Sequence, residues 1–301
     1  MRLATYLDGP EQRRLGLVLD EHVADLTAPL AEVGLVAHDV GELLRADPDL
    51  TEARSVVESL DPAGGLPLEE LTLLPPVTWP RKIMCVAANY KEHIEETGTI
   101  DYLPRHEASP WFFQKPVSSL NGHRAPIRLP ALSEKVDWEV ELGVVIGRGG
   151  RDIAESDAAA HVTGYTVVND ISAREITIPH RKTVRDRDRF HDWLHGKWFD
   201  TFCCVGPWLV TPDEIPDPRR LRLGCEISGR VYQDSDTSHM IFTIAELISF
   251  VSQIVTLEPG DLIATGTPSG VGKASGTFLK DGDTVRSWVD GIGVLENPVT
   301  G

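Results

Sequence analysis

Along residues 136–142 apolar and acidic positions alternate strictly. Val136, Trp138, Val140 and Leu142 fall on one side of an extended chain, and Asp137, Glu139 and Glu141 on the other. Apolar residues continue to Ile146, so the pattern predicts a long strand over Val136–Ile146. Val162–Asn169 predicts a second apolar strand and Lys82–Ala87 a shorter one. Asn89–Thr97 has helical spacing. Another helix is predicted over Thr243–Val255, where Thr243 and Glu246 stand as a capping box ahead of an apolar run. Asp261–Thr265 reads as a strand entering a glycine-rich loop, Gly266–Gly272.

The segment before these elements has a different texture. Leu3–Tyr6 and Leu15–Asp20 read as short strands around a polar turn at Asp8–Gln12, and helical stretches follow near Asp39–Leu44 and Thr51–Leu60. Asp61–Pro67 and then Leu74–Pro80, with Pro75, Pro76 and Pro80, interrupt regular structure. The expected organisation is a small N-terminal α/β domain, residues 1–74, ahead of a main domain, residues 75–301. Many strands and few long helices make the fold class α+β and β-dominated.

Composition narrows the function classes. A chain of 301 residues accommodates one large domain and a smaller one. The formal net charge of −17 argues against nucleic acid or an anionic membrane as partner, but a small anionic substrate answers only to local charge. No run approaches the roughly 18 apolar residues of a membrane span. The first residues lack the apolar core of a signal peptide. Cys85, Cys203, Cys204 and Cys225 show no CxxC spacing and read as reduced core filler. A cytoplasmic location is expected.

Several residues are candidates for chemistry. Glu139 and Glu141 sit side by side on one strand face, close enough to share a cation, although a solvated acidic face is the plainer reading of that stretch alone. Asp170, at the end of an apolar strand, changes the balance. Three carboxylates without Cys or His suit a hard, oxygen-preferring ion such as Mg2+. His93 and Glu96 are three apart on one helix face, where a carboxylate fixes an imidazole as general base; an exposed, charged helix is the alternative. Lys115 follows an aromatic strand and is either an oxyanion stabiliser or a solvated lysine. Gly266–Lys273 superficially suggests a P-loop, but Thr267 stands at the first required glycine and Ala274 follows the lysine. Its backbone N–H groups remain free to grip a carboxylate, and a structural turn is equally consistent.

Taken together, Asn89-Tyr90, His93-x-x-Glu96, Lys115, Glu139-x-Glu141, Asn169-Asp170-x-Ser172-x-Arg174, Lys197 and the run from Pro259 to Gly272 resemble the fumarylacetoacetate hydrolase family. The likeness covers about residue 80 to the end. It implies a mixed β-sandwich roll, a homodimer, and the variable N-terminal domain of many bacterial members. It implies Mg2+ or Mn2+ at Glu139, Glu141 and Asp170, with His93 and Glu96 in a segment that orders over bound substrate. Lys115 would lie near the reacting oxygen, Lys197 near the metal shell, and Arg174 and Thr267 near the substrate. Two departures concern the substrate. Thr177 stands where many relatives carry Gln, and Glu175–Gly196 is longer than usual and rich in His and Arg, reading as a solvated loop or as a lid over the distal part of the substrate.

The implied activity is metal-dependent hydrolysis of a C–C bond in a 2,4-diketo acid, an acylpyruvate or fumarylpyruvate-like compound, to a carboxylic acid and a 2-keto acid. Glu96 would hold His93, His93 would take a proton from water, and Lys115 would stabilise the oxyanion. The same enolate chemistry serves decarboxylation of oxaloacetate-like acids and hydration or isomerisation of unsaturated 2-keto acids, which stand as alternatives. A catalytically silent metal- or metabolite-binding protein is the alternative of another class. The dyad, the three carboxylates and Lys115 argue against it.

Overall fold

The computed structural model describes residues 1–9, 12–60, 65–98, 101–215 and 217–301. The expected turn at Asp8–Gln12 and the expected linker at Asp61–Pro67 therefore lie partly outside the described residues. The chain opens with strands β1 (Arg2–Asp8), β2 (Gln12–Leu19) and β3 (His22–Asp25). Helices α1 (Val40–Ala46) and α2 (Thr51–Ser59) follow close to where the spacing placed them. Asp39 caps α1 by accepting the Glu42 N–H at 2.6 Å.

Downstream come β4 (Ile83–Ala87), α3 (Lys91–Thr97), β5 (Trp111–Gln114), β6 (Val136–Asp137), β7 (Val140–Ile146), β8 (Val162–Asp170) and β9 (Ser172–Ala173). Then follow α4 (Asp188–His195), β10 (Cys203–Val210), β11 (Arg222–Ile227), β12 (Arg230–Asp236), α5 (Ile244–Ile254), β13 (Leu262–Ala264), β14 (Thr284–Val289) and β15 (Gly293–Thr300). The capping box of α5 is formed as expected: Thr243 N–H donates to Glu246 Oε2 at 2.8 Å, and the Thr243 hydroxyl accepts the Glu246 N–H. Among the described residues no helix is long and apolar enough to cross a membrane.

One large sheet runs in the order β3-β2-β1-β10-β8-β7-β13-β4-β5. It crosses the boundary expected at residues 74–75, because β1 pairs antiparallel with β10, Leu3 opposite Leu209. A second sheet, β12-β11-β14-β15 with Ile127–Arg128 at its edge, packs on one face of the first. Strands β7 and β8 are buried along their whole length, and the period of two shows why. Val140, Leu142, Val144 and Val167 pack with Leu223, Cys225, Val285 and Leu295 of the second sheet. Val145 and Val168 share the opposite core with Leu30, Leu43, Leu44 and Ala53 of the N-terminal segment. A strand covered on both faces carries an unbroken apolar run. The result is the β-dominated α+β fold, a sandwich roll, that the sequence pattern and the resemblance led us to expect. All four cysteines are buried and unpaired, and burial pushes the Cys204 thiol up to about 12.

The structure differs from the expectation at the alternating stretch. Val136–Ile146 is two strands: β6 pairs with β9, whereas β7 joins the large sheet. At the break, side chains replace the ladder. Glu139 N–H donates to Asn169 Oδ1 at 2.9 Å and Val140 N–H to Gln233 Oε1 at 3.0 Å. Nor is there a solvated acidic face, since Asp137, Glu139 and Glu141 are all buried.

Because residues 1–74 cover one face of the sheet, a chain starting at Pro75 would expose Cys85, Leu209 and Leu262. It is expected to be insoluble or to unfold without a cooperative transition. In the full chain, Leu43→Ala should cost about 2–5 kcal/mol, read from urea unfolding. A soluble shortened chain with a sharp transition would contradict this packing.

Candidate active site

The break between β6 and β7 sets Glu139 beside Asp170, whose N–H donates to the Glu139 carbonyl at 2.9 Å. Glu141 follows two residues on, in β7. Carboxylate oxygens of Glu139, Glu141 and Asp170 lie within 4.8 Å of one another, and among the described residues this is the one group of three potential ligands. The three residues are 4%, 1% and 0% exposed. No residue before Pro75 belongs to the group.

Three cations converge on these acids. Lys115 Nζ donates to Asp170 Oδ1 at 2.5 Å and to the Ile171 carbonyl at 3.1 Å. Lys197 Nζ bridges Glu139 Oε2 at 2.5 Å and Asp170 Oδ2 at 2.7 Å. Arg174 donates through Nε to Asp137 Oδ2 at 2.7 Å, and its Nη2 forms an ion pair with Glu139 Oε1 at 2.6 Å. Burial pushes the Glu139 carboxyl up, but Arg174 and Lys197, with a smaller contribution from His93, outweigh it and hold Glu139 well below the usual range. Glu141 moves the other way. Burial, then the charges of Asp170 and Glu139, raise it well above the usual range, opposed by the Gly266 N–H that donates to Oε2 at 2.6 Å. Burial favours neutral Lys197, yet Asp170 and Glu139 keep it charged. An all-carboxylate donor set whose members repel one another fits a hard divalent ion, which would relieve that repulsion.

His93 and Glu96 meet on α3, Nδ1 to Oε1 at 3.1 Å, so the second ring nitrogen is left to carry a proton. Glu96 is itself held by the glycine loop: its Oε2 accepts the Gly270 N–H at 2.9 Å. Asp137 accepts Gly272 N–H at 2.6 Å and Lys273 N–H at 2.9 Å. The loop that superficially suggests a phosphate cradle thus grips two of the protein's own carboxylates. Gly270 must be glycine, with φ +101° and a Cβ position only 2.0 Å from the Tyr232 carbonyl oxygen. Thr267 is buried and accepts Gln233 Nε2 at 2.8 Å. The buried Tyr90 hydroxyl has no hydrogen-bond partner among the described residues, and burial, with Glu141 nearby, raises its pKa far above the usual value.

The structure therefore gathers Glu139, Glu141, Asp170, Lys115, Lys197 and Arg174 into one buried cluster, with the His93–Glu96 pair held on the neighbouring glycine loop. Three contributors escaped the sequence reading. Asp137 turns away from the triad to hold Arg174 and the glycine loop. Asn169 from β8 supports the Glu139 backbone and Gln233 from β12 that of Val140; Asn169 stands within a family motif without an assigned role, whereas no motif contains Gln233. The stretch Glu175–Gly196 contains a helix, α4, laced by Arg181–Asp192 and Arg185–Asp188 pairs rather than being loop throughout.

A fold of this kind, around basic side chains, a His–Glu pair and an acidic triad suited to a divalent metal, defines the centre of an enzyme. The family model described as fumarylacetoacetate hydrolase, C-terminal, matches residues 82–300, and the chain belongs to the fumarylacetoacetate hydrolase family. It is 45% identical over 236 residues to human mitochondrial oxaloacetate tautomerase FAHD2B, covering 78% of this chain and 71% of that protein. Among solved structures, maleylpyruvate hydrolase from Sphingobium sp. SYK-6, in complex with manganese(II) and pyruvate, has a TM-score of 0.78 at 31% identity, covering 100% of this chain and 99% of the other. The 2-hydroxyhepta-2,4-diene-1,7-dioate isomerase of Mycobacterium marinum has a TM-score of 0.72 at 32% identity, covering 100% and 98%.

With Glu141 raised, a proton would compete with an ion held by this carboxylate. Mn2+ affinity should fall as pH is lowered, and calorimetry in buffers of different ionisation enthalpy should show proton release on binding. Glu141→Ala should weaken Mn2+ by more than the roughly 10–100-fold typical of losing an outer partner. Unchanged affinity in that variant would remove Glu141 from the ligand set.

Proposed function

We propose that this enzyme moves a proton at the carbon beside the keto group of a 2-oxo dicarboxylic acid, interconverting keto and enol forms of oxaloacetate or a near analogue. The observation that carries the reading is the His93–Glu96 pair, whose imidazole keeps one nitrogen free to carry a proton. The 45% identity to an oxaloacetate tautomerase supports it. Glu139, Glu141 and Asp170 would hold Mg2+ or Mn2+, whose Lewis acidity favours the enolate when bound. His93 takes the C3 proton in enolisation and returns one to C3 in ketonisation, the proton on the enol oxygen being exchanged with water, while Glu96 fixes the imidazole tautomer and stabilises the imidazolium. Lys115 has two of its three N–H groups committed to Asp170 and Ile171, which leaves one for a substrate oxygen. Four buried carboxylates, Asp137, Glu139, Glu141 and Asp170, face Lys115, Lys197 and Arg174, so a divalent ion would leave the centre with a net positive charge, which suits an anionic substrate.

A second reading is hydrolysis of a 2,4-diketo acid, with His93 taking its proton from an attacking water. The whole-length likeness to maleylpyruvate hydrolase favours it. A homodimer in the cytoplasm remains part of the proposal, and sedimentation velocity tests the dimer.

Ketonisation of enol-oxaloacetate, followed by loss of enol absorbance with Mg2+ present, should be accelerated by the protein. His93→Ala should reduce that rate by about 10² to 10⁴-fold while Mn2+ affinity stays within a few-fold. Cleavage of an acylpyruvate without accelerated ketonisation would put the hydrolase reading first.

A further inference from the structure

Lys197 reaches the acidic triad directly after the segment that departs from the family pattern, and the far side of its ammonium is closed by two rings. The centroids of Phe113 and Trp193 lie 5.1 Å and 5.8 Å from Nζ. The rings meet edge to face, 5.0 Å apart at 68°. Phe113 stands in β5, two residues before Lys115, and Trp193 stands in α4, four residues before Lys197. One aromatic contact therefore links the two segments that deliver both lysines. Neighbouring contacts hold α4 in place. Trp198 Nε1 donates to the Gln114 carbonyl at 2.9 Å. Gly196 lies so close to β9 that a Cβ there would be 2.2 Å from the Ala173 carbonyl oxygen.

We propose that Trp193 is a positioning residue for Lys197. Together with Phe113 it forms an aromatic cup that keeps water from the ammonium and aims its N–H groups at Glu139 and Asp170. A lysine ammonium is strongly hydrated and sits on a flexible four-carbon stem. An aromatic face substitutes for water on one side of the charge, and the effect strengthens where the site is desolvated. The carboxylates then receive the N–H bonds, and Lys197 holds Glu139 and Asp170 together at fixed spacing. Helix α4 thus acts on the centre through Lys197. This goes beyond the proposed reaction, because it would hold for any chemistry performed at the site.

The test measures lysine reactivity in the full-length protein. Trace acylation with acetic anhydride is followed by peptide mass spectrometry, with Lys115 as internal reference because its side chain is 0% exposed. In the wild-type protein Lys197 and Lys115 should both label slowly. In Trp193→Leu, Lys197 should label about tenfold faster while Lys115 is unchanged. Trp193→Phe keeps a π face and should restore protection to within about twofold of wild type. Activity should follow the same order, with kcat lowered in the Leu variant and regained with Phe. If Trp193→Leu does not fold, Trp193→Met gives a ringless side chain to be read in the same way. Continued protection of Lys197 without the ring would overturn the proposal. So would equal exposure of Lys197 and Lys115, which marks general loosening, or failure of Phe to restore protection.

Discussion

Burying Glu139, Glu141 and Asp170 within 4.8 Å of one another is the constraint around which the rest of the structure is arranged. Removing one carboxylate from water costs several kcal/mol, and three together add mutual repulsion. The fold meets this with directed positive charge. Lys197 bridges two of the acids, Lys115 holds one, and Arg174 pairs with another. Among the described residues the Gly266 N–H is the hydrogen-bond partner of the Glu141 carboxylate, and burial with the charges of Asp170 and Glu139 raises this acid well above the usual range. A divalent ion held by the three acids would relieve their mutual repulsion.

Such a cluster needs stiff walls, and the double-covered sheet supplies them. Strands β7 and β8 carry Glu141 and Asp170 and are packed on both faces, by the second sheet and by the N-terminal segment. The N-terminal segment supplies no member of the acid group, yet it closes the core behind those strands. Its role is to hold the platform on which the chemistry is mounted. The glycine loop has a comparable task. By binding the carboxylates of Glu96 and Asp137 through backbone N–H groups, it couples the His93–Glu96 pair on α3 to the support of Arg174.

The relatives named above include a tautomerase, a hydrolase and an isomerase. Under the proposed function, one physical scheme would accommodate all three kinds of activity, with a bound divalent ion to support an enolate and a histidine to move a proton. In such a scheme, where the proton is taken and whether water attacks would separate the three.

Much of this protein was legible before any coordinates. The apolar periodicity located β4, β7, β8 and α5, and the Thr243–Glu246 box marked the start of α5, because short-range backbone and capping preferences act over a few residues. Residue chemistry together with the family resemblance also singled out Glu139, Glu141 and Asp170 as an oxygen-donor set. Other features depended on partners distant in the chain. The split of Val136–Ile146 follows from Asn169 and Gln233 satisfying the backbone at Glu139 and Val140, which no local pattern encodes. Asp137 shares its alternation with the two glutamates but is drawn off by Gly272, Lys273 and Arg174. The pairing of β1 with β10, and of Trp193 with Phe113, joins segments separated by most or much of the sequence. Local preference chose the elements and the chemistry of their side chains. Long-range packing and charge compensation decided which of those side chains meet.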